Sequence, residues 1–547
     1  MRYIFLLLTI LFSFSSCGKT NLTETEKLAS LGKVWGFLKY YHPNVAEGKF
    51  NWDNQLFEIL PKVKNATDKE DLSEVYLKWI ESLGVVEDCI ECVKSSKIGN
   101  FNKNFNLDWI NDDTIFTKDL SEKLKFIEAN RHQGEKYFAS LDNYRGNIKI
   151  TNEEPHTYDW ENEQLRLLTL YRYWNIIVYF FPYKYQTDIK WDNVLYNMIP
   201  KFLNPESEID FNLAMLELVV SIDDSHADLV TKTTNNFFGF KWIPAKFKVI
   251  DEKAIITGFY NDSLALINDL RIGDIVTKVD GRTIESIYMA KEKYISGSNQ
   301  PHKKVANYTI FNGTTDSINI EFSRNNRSFK KSIKRYLFSD FNYKWLETGK
   351  SKILNDNIGY VNMGEIEKDD VAKTMNSLSE TKAIIFDIRN YPNEAHYAIS
   401  SYITSSNKYF YNRIIAEMDY PGKFRWENEA ILEYTRDLKF KGQVILLVNS
   451  DTQSNAEFTT MLFQTGDNVI TIGNQTSGAD GTISRFDMVG GFKTKMTGVG
   501  IFYPDGTEAQ RNGVKIDIVV QPTIQGIIDG KDEILEKAIE IANNQNE

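Results

Sequence analysis

The feature that most constrains this chain is an internal duplication, in which the segment from Val34 recurs, at a constant offset, from Tyr173. The stretch VWGFLKYYHP is matched by YWNIIVYFFP, and FNWDNQLFEILPKV is matched by IKWDNVLYNMIPKF. Apolar residues three and four positions apart predict aromatic-rich amphipathic helices in both copies, and Trp-Asp-Asn puts Asp or Asn near an N-cap. We therefore predict two related helical units. The shared residues are Trp35, Pro43, Trp52, Asp53, Asn54 and Pro61, matched by Trp174, Pro182, Trp191, Asp192, Asn193 and Pro200.

The two copies differ directly after their last predicted helix. The second copy continues into Ser-Ile-Asp-Asp followed by Ser225 and His226, whereas the first copy has Val86 and Glu87 at the corresponding positions. A Ser-His pair in one copy alone is expected if the first copy is structural and the second contributes to a site. Ser225 and His226 are therefore candidate site residues.

Length and charge limit the classes of function. At about 100–200 residues per domain, a chain of 547 residues should hold about three or four domains. The net charge of −11, from 64 Lys and Arg against 75 Asp and Glu, argues against nucleic acid as a partner. No apolar run reaches the roughly 18 residues that span a bilayer, which excludes a polytopic membrane protein.

Residues 1–17 have the pattern of an export signal, with Arg2 followed by an apolar run over residues 3–14. The sequence Ser-Ser-Cys-Gly at the end of this run resembles a bacterial lipoprotein cleavage site, which implies lipidation of Cys17. We expect an exported, outer-membrane or periplasm-facing lipoprotein anchored to the membrane by lipid. The alternative is an ordinary signal peptide in which Cys17 has no role. Cys89 and Cys92 fit a local disulfide or two free thiols, and no metal site is expected of them.

From about residue 246 the apolar pattern changes to short alternating strands. Residues 270–281, with the sequence LRIGDIVTKVDG, form an apolar turn, a strand and a Gly turn, and they resemble the conserved stretch of a PDZ domain. Further strands are predicted at Ser317–Phe322 and Phe329–Lys334. The resemblance predicts a PDZ-like β-rich domain, a type that captures peptide carboxy termini. The alternative is a generic β-hairpin.

After Ile353 strands and helices alternate, which predicts an α/β module. Short apolar runs that end in polar turns are typical of buried strands. The predicted strands are Ile358–Met363, Ala383–Ile388, Val444–Asn449 and Val469–Gly473, and the predicted helices are Asn393–Ser406, Ser454–Thr465 and Asp532–Asn544.

Ser454 is the most informative residue of this module, because it follows the predicted strand Val444–Asn449 and opens a helix. A serine at such a junction can expose its hydroxyl where free N–H groups and the helix dipole stabilise a developing oxyanion. The alternative is structural, since Ser454 and Glu457 have the spacing of a capping box.

Several further motifs occur in a fixed order around Ser454. They are Asp387-Ile-Arg389 followed by Asn-Tyr-Pro, then Thr476-Ser-Gly478, and finally Asp505-Gly506 with Gly513-Val514. Together with the PDZ-like segment they resemble the S41 serine peptidases, the carboxy-terminal processing and tricorn-type proteases, over roughly residues 226–538. The resemblance implies a ClpP/crotonase-like α/β peptidase domain. It does not cover the helical duplication.

The resemblance assigns roles to individual residues. Ser454 would be the nucleophile, and Ala479 stands where the processing proteases have a lysine base. The tricorn-type Ser-His pair matches Ser225 and His226, so His226 would be the general base, with His396 in reserve. Glu508 or Gln510 would orient the imidazole together with Ser225, and the backbone N–H groups of Asn455 and Asn393 would hold the oxyanion. No metal or organic cofactor is implied.

The sequence as a whole predicts a multidomain protein with an all-α duplicated helical region, a PDZ-like domain and an α/β peptidase domain. Its predicted function is that of an exported serine endopeptidase acting on protein or peptide substrates. The alternative is a catalytically inactive protein of the S41 fold that binds peptides or apolar ligands, as in retinoid-binding proteins. The predicted bounds are 1–17 for the signal peptide, 18–150 and 151–240 for the helical repeats, 241–340 for the PDZ-like domain and 341–547 for the peptidase domain.

Overall fold

A computed structural model gives the structure of the protein. It describes residues 21–94, 100–142, 144–305, 308–344, 349–404, 408–428 and 439–544. The predicted signal peptide and the lipidation of Cys17 lie outside the described residues. No helix in these described ranges is long and apolar enough to cross a membrane.

The amino-terminal region is mostly helical and contains two copies of a three-helix unit. Helices α7, α8 and α9 of the second copy begin at the positions that match the starts of α1, α3 and α4 of the first, with the same constant offset. The predicted duplication is therefore present in the helices. The elements of this region are α1 (Glu24–Tyr41), α2 (Pro43–Ala46), α3 (Trp52–Asn65), α4 (Lys69–Ser82), α5 (Ile90–Lys94), β1 (Asn100–Phe101), α6 (Lys118–Ala129), β2 (Ala139–Leu141), β3 (Ile148–Ile150), α7 (Glu163–Phe180), α8 (Trp191–Leu203) and α9 (Glu208–Val220).

The recurring tryptophans join the first two long helices of each copy. Trp35 and Trp52 each donate the indole N–H to the other's backbone carbonyl, at 3.1 and 3.2 Å. Trp174 and Trp191 form the same reciprocal pair at 2.9 and 3.0 Å. Since a buried indole N–H needs an acceptor, these pairs explain why both tryptophans recur.

The two copies pack against one another through α1 and α7. Gly36 leaves room for Asn175, whose side chain would lie 1.8 Å from a Cβ at that position. Asn175 Nδ2 donates to the carbonyl of Gly32 at 2.9 Å. Ion pairs also cross between the copies, among them Lys33 with Asp192 and Arg172 with Asp53.

The prediction of an all-α region needs a correction, because strands β2 and β3 pair as an antiparallel hairpin and β1 joins a sheet of the carboxy-terminal module. The Trp-Asp-Asn motif opens α3 and α8, as predicted, and the N-cap lies one residue before it. Asn51 is the N-cap of α3 and accepts from the N–H of Asn54, whereas Lys190 at the same place in the second copy makes no side-chain cap bond. The N-caps therefore precede the Trp-Asp-Asn motif.

A sheet-rich module lies after the helical region in the chain. Its main sheet is antiparallel in the order β11-β10-β8-β7-β6, with β9 paired to β8, and it encloses its own apolar core. The predicted strands at Ser317–Phe322 and Phe329–Lys334 correspond to β10 and β11. Two short elements, β4 (Asp228–Leu229) and α10 (Lys232–Phe238), end the second helical copy. The elements of the sheet-rich module are β5 (Lys241–Trp242), β6 (Ala245–Ile250), β7 (Lys253–Phe259), α11 (Asp262–Ile267), β8 (Ile275–Val279), β9 (Arg282–Thr283), α12 (Ile284–Lys291), α13 (Gln300–Val305), β10 (Ser317–Arg324), β11 (Arg327–Lys334) and β12 (Tyr336–Leu337).

The carboxy-terminal module is an α/β unit with a sheet in the order β13-β14-β15-β18-β19-β23. All neighbouring strands are parallel except β13, which is antiparallel to β14. The predicted strands and helices of this module agree with the structure to within a few residues. The elements are β13 (Ser351–Leu354), β14 (Ile358–Asn362), α14 (Val371–Ser377), β15 (Ala383–Asp387), α15 (His396–Ile403), β16 (Asn412–Ala416), β17 (Phe424–Asn428), β18 (Gln443–Val448), α16 (Asn455–Phe463), β19 (Val469–Gly473), β20 (Ile483–Asp487), β21 (Lys493–Thr497), β22 (Gly500–Phe502), β23 (Ile518–Val519), α17 (Ile524–Ile528) and α18 (Glu533–Asn544).

Two smaller sheets join the helical region to the α/β module. Strand β1 pairs with β17 in a sheet of order β1-β17-β16-β22, and β4 pairs with β21 in a sheet of order β20-β21-β4. Strand β4 begins two residues after His226, and its Leu229 lies opposite Thr494 in β21. The end of the second helical copy is thereby fixed to the α/β module by backbone pairing.

Candidate active site

Ser454 lies between strand β18 and helix α16, as predicted. Its backbone has φ 57° and ψ −120°, a positive-φ conformation that L-residues with a side chain rarely adopt. The Ser454 side chain makes no capping hydrogen bond to the described backbone of α16. A serine in a strained turn, with its hydroxyl not used as a cap, fits a reactive hydroxyl better than a structural one.

Glu457 holds the Ser454 turn in place. Its buried carboxylate accepts from the hydroxyl of Thr476 at 2.5 Å and from the N–H groups of Gly478 and Ala479 at 2.8 and 3.0 Å. It also accepts from the N–H of Ser454 at 3.3 Å. Burial raises the pKa of Glu457 to about 7, against the opposing effect of these donors. Glu457 therefore joins the nucleophile turn to the Thr-Ser-Gly turn.

His226 is held by a chain of hydrogen bonds that ends in a buried carboxylate. Thr497 Oγ1 lies 2.8 Å from His226 Nδ1 and 2.9 Å from Asp224 Oδ1. Asp224 also accepts from the N–H of Thr497 at 2.6 Å and from the N–H of His226 at 3.0 Å. All three of these side chains are buried.

This chain of bonds fixes the tautomer of His226. The Thr497 hydroxyl has one proton, and it donates that proton to Asp224, because a carboxylate can only accept. Thr497 Oγ1 must then accept from His226, so Nδ1 carries the proton of the neutral imidazole. Nε2 is left as a bare acceptor and has no hydrogen-bond partner among the described residues. A general base needs such a nitrogen.

The charge state of His226 follows from its burial. Desolvation lowers the pKa of His226 below the ordinary value of 6.5, and the charge of Asp224 opposes this effect. Neutral imidazole is the form that can accept a proton. The lowered pKa therefore leaves the imidazole of His226 able to accept a proton at neutral pH.

The expectation that Glu508 or Gln510 orients His226 needs correction. Glu508 accepts hydrogen bonds from Lys103 at 2.6 Å, from Tyr185 at 2.8 Å and from Gln186 at 2.6 Å. Its carboxylate is therefore bound by residues of the helical region. Gln510 is buried, and its Nε2 lies 3.4 Å from Ser298 Oγ. The structure brings Asp224 and Thr497 to the imidazole instead.

The hydroxyl of Ser225 forms hydrogen bonds with backbone groups rather than with the imidazole of His226. Its hydroxyl donates to the carbonyl of Ser477 at 3.1 Å and accepts from the N–H of Ser298 at 2.8 Å. Its carbonyl accepts from Gln453 Nε2 at 3.2 Å. Because Gln453 precedes Ser454 and Ser225 precedes His226, this bond brings together the segments that carry the candidate nucleophile and the candidate base. That His226 Nε2 faces Ser454 Oγ across the boundary between the modules remains a prediction.

The two expected oxyanion donors are in different situations. The N–H of Asn393 donates to the carbonyl of Met363 at 3.1 Å and is not free for a substrate, which corrects that expectation. Asn455 is the first residue of α16, where backbone N–H groups have no partner within the helix. Its side chain donates to the carbonyl of Pro392 at 3.3 Å and fixes the turn after β15.

The other candidate bases do not take the place of His226. Ala479 occupies the lysine position, and its carbonyl accepts from the N–H of Ser454 at 3.1 Å. A lysine on the strand that carries Thr497, Lys495, forms an ion pair with Asp228 at 2.8 Å. His396 is buried beside the ring of Phe458, with 6.2 Å between ring centroids, and desolvation lowers its pKa.

A cluster elsewhere has the composition of a metal site. Within the part of the chain that the structure describes, Asp53, Glu154 and His156 place ligand atoms within 4.8 Å of one another. Asp53 already pairs with Arg172 and accepts from His156 Nε2 at 2.8 Å. These contacts make Asp53 part of the ion-pair network of the helical region.

Sequence reasoning missed Asp224 and Thr497 as site residues. Asp224 stands two residues before His226, so its proximity could have been noticed, but an acidic residue in a turn gives no signal of its role. Thr497 lies 271 residues after His226, and nothing in a β-strand sequence marks one threonine as the partner of a distant histidine.

Comparisons with known proteins agree with the geometry of the α/β module. Residues 357–520 match the model of peptidase family S41. No curated protein is significantly similar to the chain in sequence.

Two solved structures of CPAF share the fold. Mature CPAF is 14% identical, with a TM-score of 0.56 over 70% of this chain and 99% of that chain. CPAF complexed with lactacystin is 13% identical, with a TM-score of 0.54 over 70% and 100% of the two chains. The photosystem II D1 C-terminal processing protease is 14% identical, covering 68% and 98%, with a TM-score of 0.39. On this match, the α/β module is similar to peptidase family S41 over residues 357–520, which supports a serine-type peptidase.

Proposed function

We propose that the protein is an exported serine endopeptidase that cleaves peptide bonds through an acyl-enzyme on Ser454, with His226 as general base. The observation that carries the proposal is the chain of hydrogen bonds from Asp224 through Thr497 to His226 Nδ1. It leaves Nε2 free to accept a proton, and it supplies a buried negative charge that stabilises the imidazolium once formed.

The steps follow from these positions. Ser454 Oγ attacks the carbonyl carbon of the substrate while His226 Nε2 takes the hydroxyl proton. The N–H of Asn455 stabilises the oxyanion of the tetrahedral intermediate. His226 then gives the proton to the leaving amine, and the acyl-enzyme forms. Water, activated by the same nitrogen, hydrolyses the ester and restores Ser454.

Asp224 and Thr497 act as positioning residues in this scheme. The Asp224 carboxylate is 0% exposed, so its charge acts on the imidazole with little screening by water. Thr497 links the orientation of the His226 imidazole to Asp224, because its hydroxyl bridges the side chains of His226 and Asp224. The direct separation of His226 Nδ1 and Asp224 Oδ1 is 3.8 Å, too long for a hydrogen bond.

Export and anchoring are part of the proposal. The disulfide between Cys89 and Cys92 supports an oxidising compartment, since disulfides persist mainly outside the cytosol. Lipidation of Cys17 would anchor the protein, and Cys17→Ser should then release it from the detergent phase into the aqueous phase. Retention of Cys17→Ser with membranes would contradict lipidation at this residue.

The sheet-rich module supports a PDZ-like role. Residues 270–281 form the turn and the strand β8 at the centre of the antiparallel sheet, in keeping with the resemblance. We propose that this module binds the carboxy terminus of a peptide substrate. Competition by short peptides with a free or an amidated carboxy terminus would separate capture of the terminus from binding along the chain.

A fluorophosphonate probe tests the proposed nucleophile. Wild type should be labelled covalently, and Ser454→Ala should not be. Ser379→Ala, an exposed serine of the same module, is the matched control and should be labelled like wild type. Absence of labelling in a folded wild-type protein would instead favour a catalytically inactive binding protein.

A further inference from the structure

We propose that a cavity of about 200 Å³ beside Ser225 is a specificity pocket for an apolar side chain of the substrate, on the carboxy-terminal side of the scissile bond. This proposal rests on the proposed peptidase function and adds a substrate class to it. The cavity lies where helices α9 and α10 meet the sheet-rich module.

The position of the cavity relates it to both catalytic segments. Ser225 and Ala227, which flank His226, form part of its wall. His302 forms another part, and its Nδ1 lies 3.2 Å from the carbonyl of Ser450, four residues before Ser454. The Ser225 carbonyl is bonded to Gln453, next to the nucleophile. A substrate side chain in this cavity would therefore belong to a residue close to the scissile bond.

The wall of the cavity is largely apolar. Buried carbon surface comes from α9, from strand β4 and from the segment before α13, and it is supplemented by aromatic rings. Burying a Leu or Phe side chain in such a place strengthens binding by about 10- to 100-fold. The apolar lining residues include Leu216, Ala227, Leu229, Phe238, Tyr294 and Ile295.

Among the described residues that line the cavity, no charged side chain is free to pair with a charged side chain of the substrate. The acidic lining residue is Asp228, which is already paired with Lys495 at 2.8 Å. Burial lowers the pKa of His302 and favours its neutral form. Because burying an unpaired charge is costly, the cavity should reject Asp and Lys and accept Leu or Phe.

The side of the scissile bond follows from the chemistry of His226. The imidazole must reach the leaving amine to protonate it, so the chain after the scissile bond runs past the segment that carries the base. That segment continues directly into Ala227 and β4, which form a wall of the cavity. The pocket therefore lies towards the new amino terminus of the product.

Apolar surface continues outside the cavity. The ring of Phe237 contacts that of Phe238, with centroids 5.1 Å apart, and Phe237 is 54% exposed. Exposed aromatic surface next to a pocket suits the flank of an extended apolar peptide. All of these elements lie outside residues 357–520, the segment that matches the family model. The second helical copy and the sheet-rich module would thus set substrate preference.

The test uses internally quenched peptides that differ at one residue. Each of the three positions after the scissile bond is varied among Leu, Phe, Ala, Asp and Lys. At one position we expect kcat/KM to be about 10- to 100-fold higher for Leu or Phe than for Asp or Lys. Ser296→Phe should fill the cavity and abolish this preference, whereas Phe238→Ala should widen it and favour Phe over Leu. Ser379→Phe, on the exposed surface of the α/β module, is the matched control and should keep the wild-type preference.

Binding to Ser454→Ala separates failure of the pocket from failure of the peptidase function. If no peptide is cleaved, but apolar peptides bind Ser454→Ala about 10-fold more tightly than charged ones and Ser296→Phe removes the difference, the pocket stands and the proposed function fails. Cleavage with equal kcat/KM for all five residues would overturn the pocket and leave the peptidase. If there is no cleavage and all peptides bind Ser454→Ala equally, the pocket and the proposed function are both overturned.

Discussion

The two copies of the helical unit share a scaffold and differ in the segment after it. In both, three helices begin at matching positions and a pair of tryptophans exchanges hydrogen bonds. After the first copy, Val86 is buried, Glu87 is exposed and the chain forms a local disulfide between Cys89 and Cys92. After the second copy, Asp224 and His226 reach Thr497 of the α/β module.

The comparison shows which part of a duplicated unit is free to acquire a function. The tryptophans are fixed by packing inside each copy, so they recur. The residues after the last helix have different partners in the two copies, and their sequences differ accordingly. In the second copy a positive φ at Asp223, 50°, turns the chain towards β21. The carboxylate of Asp223 accepts from the N–H of Asp188 at 2.8 Å, which holds this turn.

The strongest test of the comparison is the loss of the base. His226→Ala should lower kcat by about 10²–10⁴-fold, because Ser454 loses its proton acceptor. Glu87→Ala changes the matching position of the first copy and should leave kcat at the wild-type value. Steady-state kinetics on one peptide measures both. Equal kcat for His226→Ala and wild type would refute the assignment of the base.

A second test concerns the ion pairs that cross between the copies. The side chains of Arg172 and Asp53 are 6% and 5% exposed, whereas that of Asp192, the partner of Lys33, is 48% exposed. Arg172→Met leaves a buried carboxylate short of a partner and should cost about 3–5 kcal/mol of unfolding free energy. Lys33→Met should cost about 1 kcal/mol or less.

Urea unfolding followed by circular dichroism measures the two ion-pair variants under one condition. Similar losses of unfolding free energy in the two variants would mean that the two ion pairs are equivalent in energy as well as in position. The difference in burial would then have no role in the stability of the duplicated scaffold.

Removal of the orienting carboxylate should have a smaller effect than removal of the base. Asp224→Asn should lower kcat by about 10²-fold, because it removes the charge that stabilises the imidazolium and loosens the tautomer set through Thr497. Val85→Asn, at the matching position of the first copy, is the control. A kcat for Asp224→Asn within about twofold of wild type would contradict the positioning role.

The smallest expected effect is a shift of the pH profile. Protonated His226 cannot accept the proton of Ser454, so activity falls as pH decreases through its pKa. Burial lowers this pKa, and we expect the acid limb of kcat/KM in wild type below pH 6.5. In Asp224→Asn, loss of the charge that raises the pKa should move the limb to still lower pH. A limb above the ordinary histidine pKa in wild type would point to another group.

Much of the fold was predictable because its signals are local. The strand predicted at Val469–Gly473 is β19, and the run predicted at Asp532–Asn544 is α18 within one residue. Strands β16, β17 and β22 were not predicted. Their sheet also includes β1 from the helical region, where Phe101 lies opposite Phe424, so the pairing depends on segments that are far apart in the chain.

In the candidate site, too, the residues marked by local motifs were predictable, and the contacts between distant segments were not. Ser454 and His226 could be proposed from motifs, because each stands in a short recognisable segment. Glu508 and Gln510 were proposed from chain order, and the structure gives them other partners. The oxyanion donor at Asn393 could not be judged from sequence, since whether a backbone N–H is free depends on a neighbouring segment, here the carbonyl of Met363.

By itself the sequence determined the duplicated helices, the strand-to-helix position of Ser454 and the choice of His226 as candidate base, because periodicity, spacing and motif order are properties of the chain. The tertiary structure alone decided what surrounds those residues. Asp224 is linked to His226 through Thr497 only because β4 pairs with β21 and places Thr497 between them. Hydrogen bonds require atoms about 3 Å apart, and only the folded chain brings residues so distant in sequence to that separation.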